Sequence, residues 1–176
     1  MKVKDKEFEV YFTEAEVAEV VERLAGRISA DYAGMKPVLC PVLTGSFLFA
    51  ADLVRRLKVE CEVEFVKYTS YKGMHSTGEV QAVLPFPPSV KGRDVIVVED
   101  IVDTGISMKY MLRELTELHP KSVKVCTLLM KPGCFRGGFE VDYVGKEIAD
   151  DFVLGYGMDF DGEGRILKEI FRTVNR

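Results

Sequence analysis

Residues 95–107 read VIVVEDIVDTGIS: four apolar residues, Val95 to Val98, then Glu99, Asp100 and Asp103 within five positions, then Thr104-Gly105. A run apolar on every side chain is what a central parallel strand, covered on both faces, requires. The residues after it carry Met108, Met111, Leu112, Leu115 and Leu118 at the spacing of one buried helical stripe, ended by Pro120. Strand, acid-rich loop and helix follow one another without a break. In open sheets of such units, ligands gather beyond the carboxyl ends of the strands, so residues 99–107 are expected to stand at a binding site.

Outward from this unit the same alternation recurs. Thr13-Glu14-Ala15-Glu16 has capping-box spacing, and Val17, Val20, Val21, Leu24 and Ile28 then share one helical face. A strand is predicted over 38–43, followed by Thr44-Gly45-Ser46 and a helix with Phe47, Ala50, Ala51, Val54 and Leu57 on its buried stripe. Residues 60–68 alternate acid and apolar, the period of a strand with one wet face, and 71–81 lose all periodicity. Pro85-Phe86-Pro87-Pro88 bars regular pairing, and 122–130 supply another strand. The fold class predicted is α/β: a central, mostly parallel sheet flanked by helices.

At 176 residues the chain is expected to form a single domain. Its 47% apolar and 30% charged residues exclude disordered and fibrous classes, and a net charge of −4 argues against a nucleic-acid-coating protein. Cys40, Cys61, Cys126 and Cys134 form no Cys-x-x-Cys pair, and His75 and His119 lie apart from them, which argues against zinc. Cys61 and Cys126, within strand-like runs, read as small apolar fillers in a reducing compartment. No basic-apolar leader and no apolar run of roughly 18 residues is found, so no membrane is expected and the cytoplasm is the expected location.

The acids need an explanation, because neighbouring carboxylates repel unless a cation or a set of donors lies between them. Asp103-Thr104-Gly105-Ile106-Ser107 leads straight into a helix N-terminus, where free N–H groups and the dipole attract phosphate. Thr104 and Ser107 add hydroxyl donors, and Gly105 lets the backbone approach an anion closely. Phosphate donors beside carboxylates suggest one ligand with a phosphate and a diol, of which ribose 5-phosphate is an example. The acids would accept from its hydroxyls or hold Mg2+. Read without that ligand, Asp103 is a helix N-cap, Phe152 and Val153 are core, and Lys131 is a solvated lysine.

The stretch VIVVEDIVDTGISM resembles the phosphoribosyl pyrophosphate signature of type I phosphoribosyltransferases. The resemblance narrows to the hypoxanthine-guanine phosphoribosyltransferase family through PVLTGSFLFAADLVRRL (41–57), TSYKGMHSTGEV (69–80), PKSVKVCTLLMK (120–131), VDYVGKEIADDFVLGYGMDF (141–160) and Arg165. It covers about residues 38 to 165. It implies a core over about 35–135 with a small hood from about 1–12 and 136–176. The implied activity is transfer of phosphoribosyl from phosphoribosyl pyrophosphate to hypoxanthine or guanine, with Mg2+ as cofactor and a homodimer or homotetramer as the assembly.

The resemblance also implies residue roles. Glu99 and Asp100 would engage ribose hydroxyls or metal; Asp103 would accept the proton of purine N7; Thr104, Gly105, Ile106 and Ser107 would hold the 5-phosphate. Lys131 would donate to the 6-oxo oxygen, Phe152 would stack on the base, and the backbone of Val153 would read the purine edge. Asp159 would serve the base end and a second metal, while Thr44, Gly45 and Arg165 would bind pyrophosphate. Many relatives have lysine where this chain has Thr44, which offers only a hydroxyl and its N–H; that loop often contains a cis peptide. Ser70 and Tyr71 would belong to a mobile flap. Two alternatives remain at this point, a xanthine-preferring relative and a nucleotide-sensing RNA-binding regulator on the same fold.

Overall fold

The structure, a computed structural model, describes residues 1–70 and 80–174. In chain order the elements are β1 (Lys2–Val3), β2 (Lys6–Phe12), α1 (Glu14–Asp31), β3 (Val38–Leu43), α2 (Phe47–Arg56), β4 (Glu62–Val63), β5 (Val66–Ser70) and β6 (Val80–Leu84). There follow β7 (Asp94–Val102), α3 (Ile106–Glu117), β8 (Ser122–Met130), β9 (Tyr143–Glu147), β10 (Val153–Leu154) and β11 (Ile170–Thr173).

The main sheet has the order β6-β5-β3-β7-β8-β9, with β4 also paired to β3. Its pairs are parallel except β5 with β6. β7 lies in the middle, and alternation along it makes two cores. Ile96 and Val98 face Val21, Leu24 and Ile28 of α1 with Phe49 and Leu53 of α2, whereas Val95 and Val97 join Met108, Met111 and Leu115 of α3. Each such side chain contributes about 1.5–3 kcal/mol on burial, which explains why this strand carries no polar residue between Asp94 at its start and Glu99. The capping box at Thr13 forms as its spacing predicts, with Glu16 N donating to Thr13 Oγ1 and Thr13 N to Glu16 Oε2.

A second sheet, β1-β2-β11-β10, joins the two ends of the chain around Val3, Phe8, Leu154 and Phe171. It is the hood expected from the terminal segments, with one difference: Tyr143–Glu147 pairs with β8 in the main sheet, because Tyr143 and Ile148 are buried in its core. Three further differences concern boundaries. The alternating stretch 60–68 divides into β4 and β5, since β3 pairs with Glu62–Val63 near one end and with Val66–Lys67 near the other. Cys61 therefore precedes β4 and is only partly buried, whereas Cys126 lies buried within β8. β6 begins at Val80, inside the stretch 71–81 expected to lack periodicity. Finally, β7 continues to Val102, so Glu99, paired with Thr127, and Asp100, which lies between that pair and Ile101–Leu129, are strand residues. No described helix is long and apolar enough to cross a membrane.

Candidate active site

The carboxyl ends of β3, β7 and β8 open towards the hood, and two cavities lie there. The larger, about 300 Å³, is lined by Gly45, Asp100, Asp103, Lys131, Phe152 and Arg165, with Val153, Met158 and Asp159 at its hood side. The smaller, about 220 Å³, is lined by Gly45, Glu99, Asp100, Ser107 and Val80 at the start of β6. Gly45 and Asp100 belong to both, so the two cavities meet there.

That meeting explains Gly45. A Cβ on this residue would lie 1.7 Å from Asp100 Oδ2 and 2.6 Å from its Cγ. The carboxylate rests against the glycine's bare Cα, an approach closed to any other residue. The loop is fixed on its other side by buried Ser46, whose Oγ donates to Val42 O at 2.7 Å. The Leu43-Thr44 peptide is cis, as the resemblance implies, and Thr44 itself is exposed.

Glu99 and Asp100 have few partners. Ile101 N donates to Asp100 Oδ1 at 2.8 Å and Asp100 N to Glu99 Oε1 at 3.2 Å, and among the described residues neither forms a salt bridge. Burial and then the neighbouring Asp100 charge push the Glu99 carboxyl well above the usual carboxylate range. Burial also raises Asp100. These are half-buried oxygen ligands that form no ion pair with a described cation, and a divalent ion with a preference for oxygen fits them.

Asp103 is different. Its Oδ2 accepts from Lys131 Nζ at 3.0 Å, and the same ammonium donates to Asp150 Oδ1 at 3.1 Å. Lys131 is only 7% exposed, placed at the end of β8 by the bond from its own N–H to Val102 O. Burial disfavours its charge, yet the hydrogen bonds to Asp103 and Asp150 more than offset this and raise its pKa. Asp103 is therefore not the N-cap of α3; that position falls to Gly105, in the left-handed region at φ 78°.

Among the described residues the α3 N-terminus has no side-chain cap, in contrast to α1. Thr104 Oγ1 reaches Ile106 N only at 3.4 Å, leaving the first-turn amides available to an anion. Behind Gly105 the chain is packed tightly: a Cβ there would lie 2.7 Å from the Phe135 ring, and Arg136 N donates to Thr104 O at 3.1 Å. The turn after Lys131 thus backs the phosphate-receptive loop. Thr44, Thr104, Gly105 and Ile106 line neither cavity with the others.

The hood supplies the remaining wall. Phe152 is 39% exposed and packs edge-on against Phe160 at 5.4 Å, with Lys6 Nζ 4.9 Å from its centroid, while Val153 is buried. Arg165 Nη2 is paired with Asp159 Oδ1 at 2.6 Å and its Nη1 donates to Gly157 O at 2.7 Å. The other Asp159 oxygen accepts from Gly162 N at 2.7 Å. Asp159 and Arg165, read separately from the sequence, are therefore a pair. Ser70 ends β5, opposite Val80, and Tyr71 lies outside the described residues.

Asp150 was not singled out from the sequence. Its one signal is the adjacent-acid pattern of Asp150-Asp151 before Phe152, a repeat of Glu99-Asp100 after an apolar strand.

A parallel sheet, acids at the end of its central strand and an uncapped helix N-terminus behind them define the phosphoribosyl transferase class, and the family model of the phosphoribosyl transferase domain matches residues 10–161. The hypoxanthine phosphoribosyltransferase of Buchnera aphidicola is 38% identical over 94% of this chain and 95% of its own. The hypoxanthine-guanine phosphoribosyltransferase of Staphylococcus aureus is 37% identical over 94% and 89%. A crystal structure of a hypoxanthine-guanine phosphoribosyltransferase from Bacillus anthracis superposes with TM-score 0.90 at 35% identity, covering 97% of this chain and all of the other. The chain belongs to the hypoxanthine-guanine phosphoribosyltransferase family.

Proposed function

We propose that this protein transfers the 5-phosphoribosyl group of phosphoribosyl pyrophosphate to N9 of hypoxanthine or guanine, forming IMP or GMP and pyrophosphate in purine salvage. The observation that carries the reading is the 3.0 Å pair of Lys131 and Asp103 in a cavity walled by Phe152. An ammonium donor, a carboxylate acceptor and an aromatic face match the 6-oxo oxygen, the N7 proton and the ring of a 6-oxopurine. The backbone at Val153 would read the purine edge. The uncapped turn at 104–107 would take the 5-phosphate.

In the reaction the bond from C1' to the pyrophosphate oxygen breaks, the bond from C1' to N9 forms, and the base's proton passes to Asp103. The transition state is cationic at the sugar, and Asp100, beside the cavity, stabilises that charge. Glu99 and Asp100 would hold Mg2+, which when bound supplies charge stabilisation for the departing pyrophosphate. Asp159 would serve a second metal by exchanging its hold on Arg165, whose fork would then grip pyrophosphate together with the amides at Thr44 and Gly45. Residues 70–71, as a flap, would exclude water.

Val63, Phe65, Val83 and Leu84 are exposed on β4, the β4–β5 connection and β6, which supports self-association as a homodimer or homotetramer; the expected site of action is the cytoplasm. Turnover measured side by side with hypoxanthine, guanine and xanthine tests the substrate. Hypoxanthine or guanine is expected to lead, and a clear preference for xanthine would overturn the reading.

A further inference from the structure

Lys131 sits between two carboxylates, and the proposed reaction employs only one of them. An ammonium group has three donors. Two go to Asp103 Oδ2 at 3.0 Å and Asp150 Oδ1 at 3.1 Å, and since Lys131 also lines the larger cavity, one remains for an acceptor there. Asp103 is the partner that changes: as it takes the base's proton its charge is lost, and with it the attraction that holds Lys131. The Lys131 side chain is only 8% exposed, so water is a poor substitute for the missing counter-charge.

The other partner is fixed by the sheet. Ile148, 6% exposed, donates from its N–H to Met130 O at 2.8 Å, extending the β8–β9 pairing by one step beyond Glu147. Lys131 follows Met130, and Asp150 follows Ile148 by two residues, so the two meet where the ladder ends. The segment then runs directly to Phe152 and Val153. Cys134 completes the enclosure: its N–H donates to Lys131 O at 3.1 Å, and its sulfur lies within 4.8 Å of both carboxylates. These three groups resemble a metal ligand set, but the cation among them is the protein's own ammonium.

Resting on the proposed function, we infer that Asp150 is a positioning residue which keeps Lys131 charged and directed at the purine's 6-oxo oxygen while Asp103 handles the proton. The hydrogen bond from Lys131 also holds the Asp150 carboxyl below the usual carboxylate range, so it is ionised at neutral pH. Asp150 is largely exposed, at 74% of its side chain, so replacing it leaves the fold intact.

The experiment compares wild type, Asp150→Asn, Asp150→Glu, Lys131→Ala and the double variant Lys131→Ala/Asp150→Asn in the full chain. It measures KM for hypoxanthine and for phosphoribosyl pyrophosphate, and the Kd of GMP, which requires no turnover. Asp150→Asn is expected to raise KM for hypoxanthine and Kd for GMP about tenfold, the effect of one charge-assisted contact. KM for phosphoribosyl pyrophosphate should stay within about twofold, Asp150→Glu should restore most of the loss, and Asp150→Asn should add nothing to Lys131→Ala. Wild-type purine affinity in Asp150→Asn, or the same loss when Lys131 is already absent, overturns the inference alone. Unchanged purine affinity in Lys131→Ala overturns the assignment of Lys131 itself, and with it both readings.

Discussion

Gly45→Ala adds one methyl group at the point where the two cavities meet, and the structure allows its effect to be worked out. The new Cβ would overlap Asp100 Oδ2 at 1.7 Å, Cγ at 2.6 Å and Oδ1 at 3.2 Å. The loop cannot retreat easily, because buried Ser46 is bonded to Val42 O, Phe47 N donates to Thr44 O, and the Gly45 carbonyl is closely packed against Gly157. Asp100 must therefore turn aside and lose its 2.8 Å bond from Ile101 N. Overpacking of this kind costs about 1–3 kcal/mol, and a hydrogen bond to a charged group is worth about 1.5–3 kcal/mol. A combined effect of about 2.5–6 kcal/mol corresponds to a loss of about 70- to 25,000-fold in kcat/KM for phosphoribosyl pyrophosphate if the carboxylate yields. If the loop yields instead, the same energy lowers Tm by about 5–24 °C for a chain of this size. Pyrophosphate release and thermal melting of the purified variant measure both. An enzyme with kcat/KM within about threefold of wild type and an unchanged Tm would refute the packing argument.

Two further outcomes follow from the same geometry. Asp103→Asn should lower kcat about 10²- to 10⁴-fold, the usual contribution of a positioned acid or base, with little change in Tm because Lys131 retains Asp150; full turnover would remove Asp103 from proton transfer. Glu99→Gln should melt higher than wild type at pH 8 in chelator. A carboxyl whose folded pKa is raised stabilises the fold fully only below its unfolded pKa and loses that contribution as pH rises through the raised value. The permanently neutral amide escapes this loss, so the variant should have the higher Tm at pH 8. The difference should shrink towards pH 4 and narrow when Mg2+ stabilises the wild type. A variant less stable than wild type at pH 8 would contradict the burial argument.

What could be read in advance was what local chemistry determines. The apolar run at 95–98, the box at Thr13 and the stripe on α3 depend on neighbours within a few residues, so strands β3 and β8 and the starts of α1 and α2 fall at their predicted positions. The break between β4 and β5 was hidden because it comes from how β3 pairs along its length, a long-range fact. The strand character of Glu99 and Asp100 was hidden because β8 extends far enough to pair with Glu99 and with Ile101 on the far side of Asp100, whereas acids in sequence suggest a loop. Within the site, residues that carry chemistry by type stood out, and pairings across the chain did not. Lys131 with Asp103 and Asp150, and Asp159 with Arg165, require the end of β8, the β9 return and the hood loop to be brought together first.

A crystal structure of the protein with GMP tests the central reading most directly. The purine should lie against Phe152 with its 6-oxo oxygen within hydrogen-bond distance of Lys131 Nζ, and the 5'-phosphate should rest on the amides of residues 104–107. A base bound on the far side of Phe152, in the groove of about 560 Å³ lined by Lys2 and Lys6, or a phosphate away from the α3 N-terminus, would contradict it.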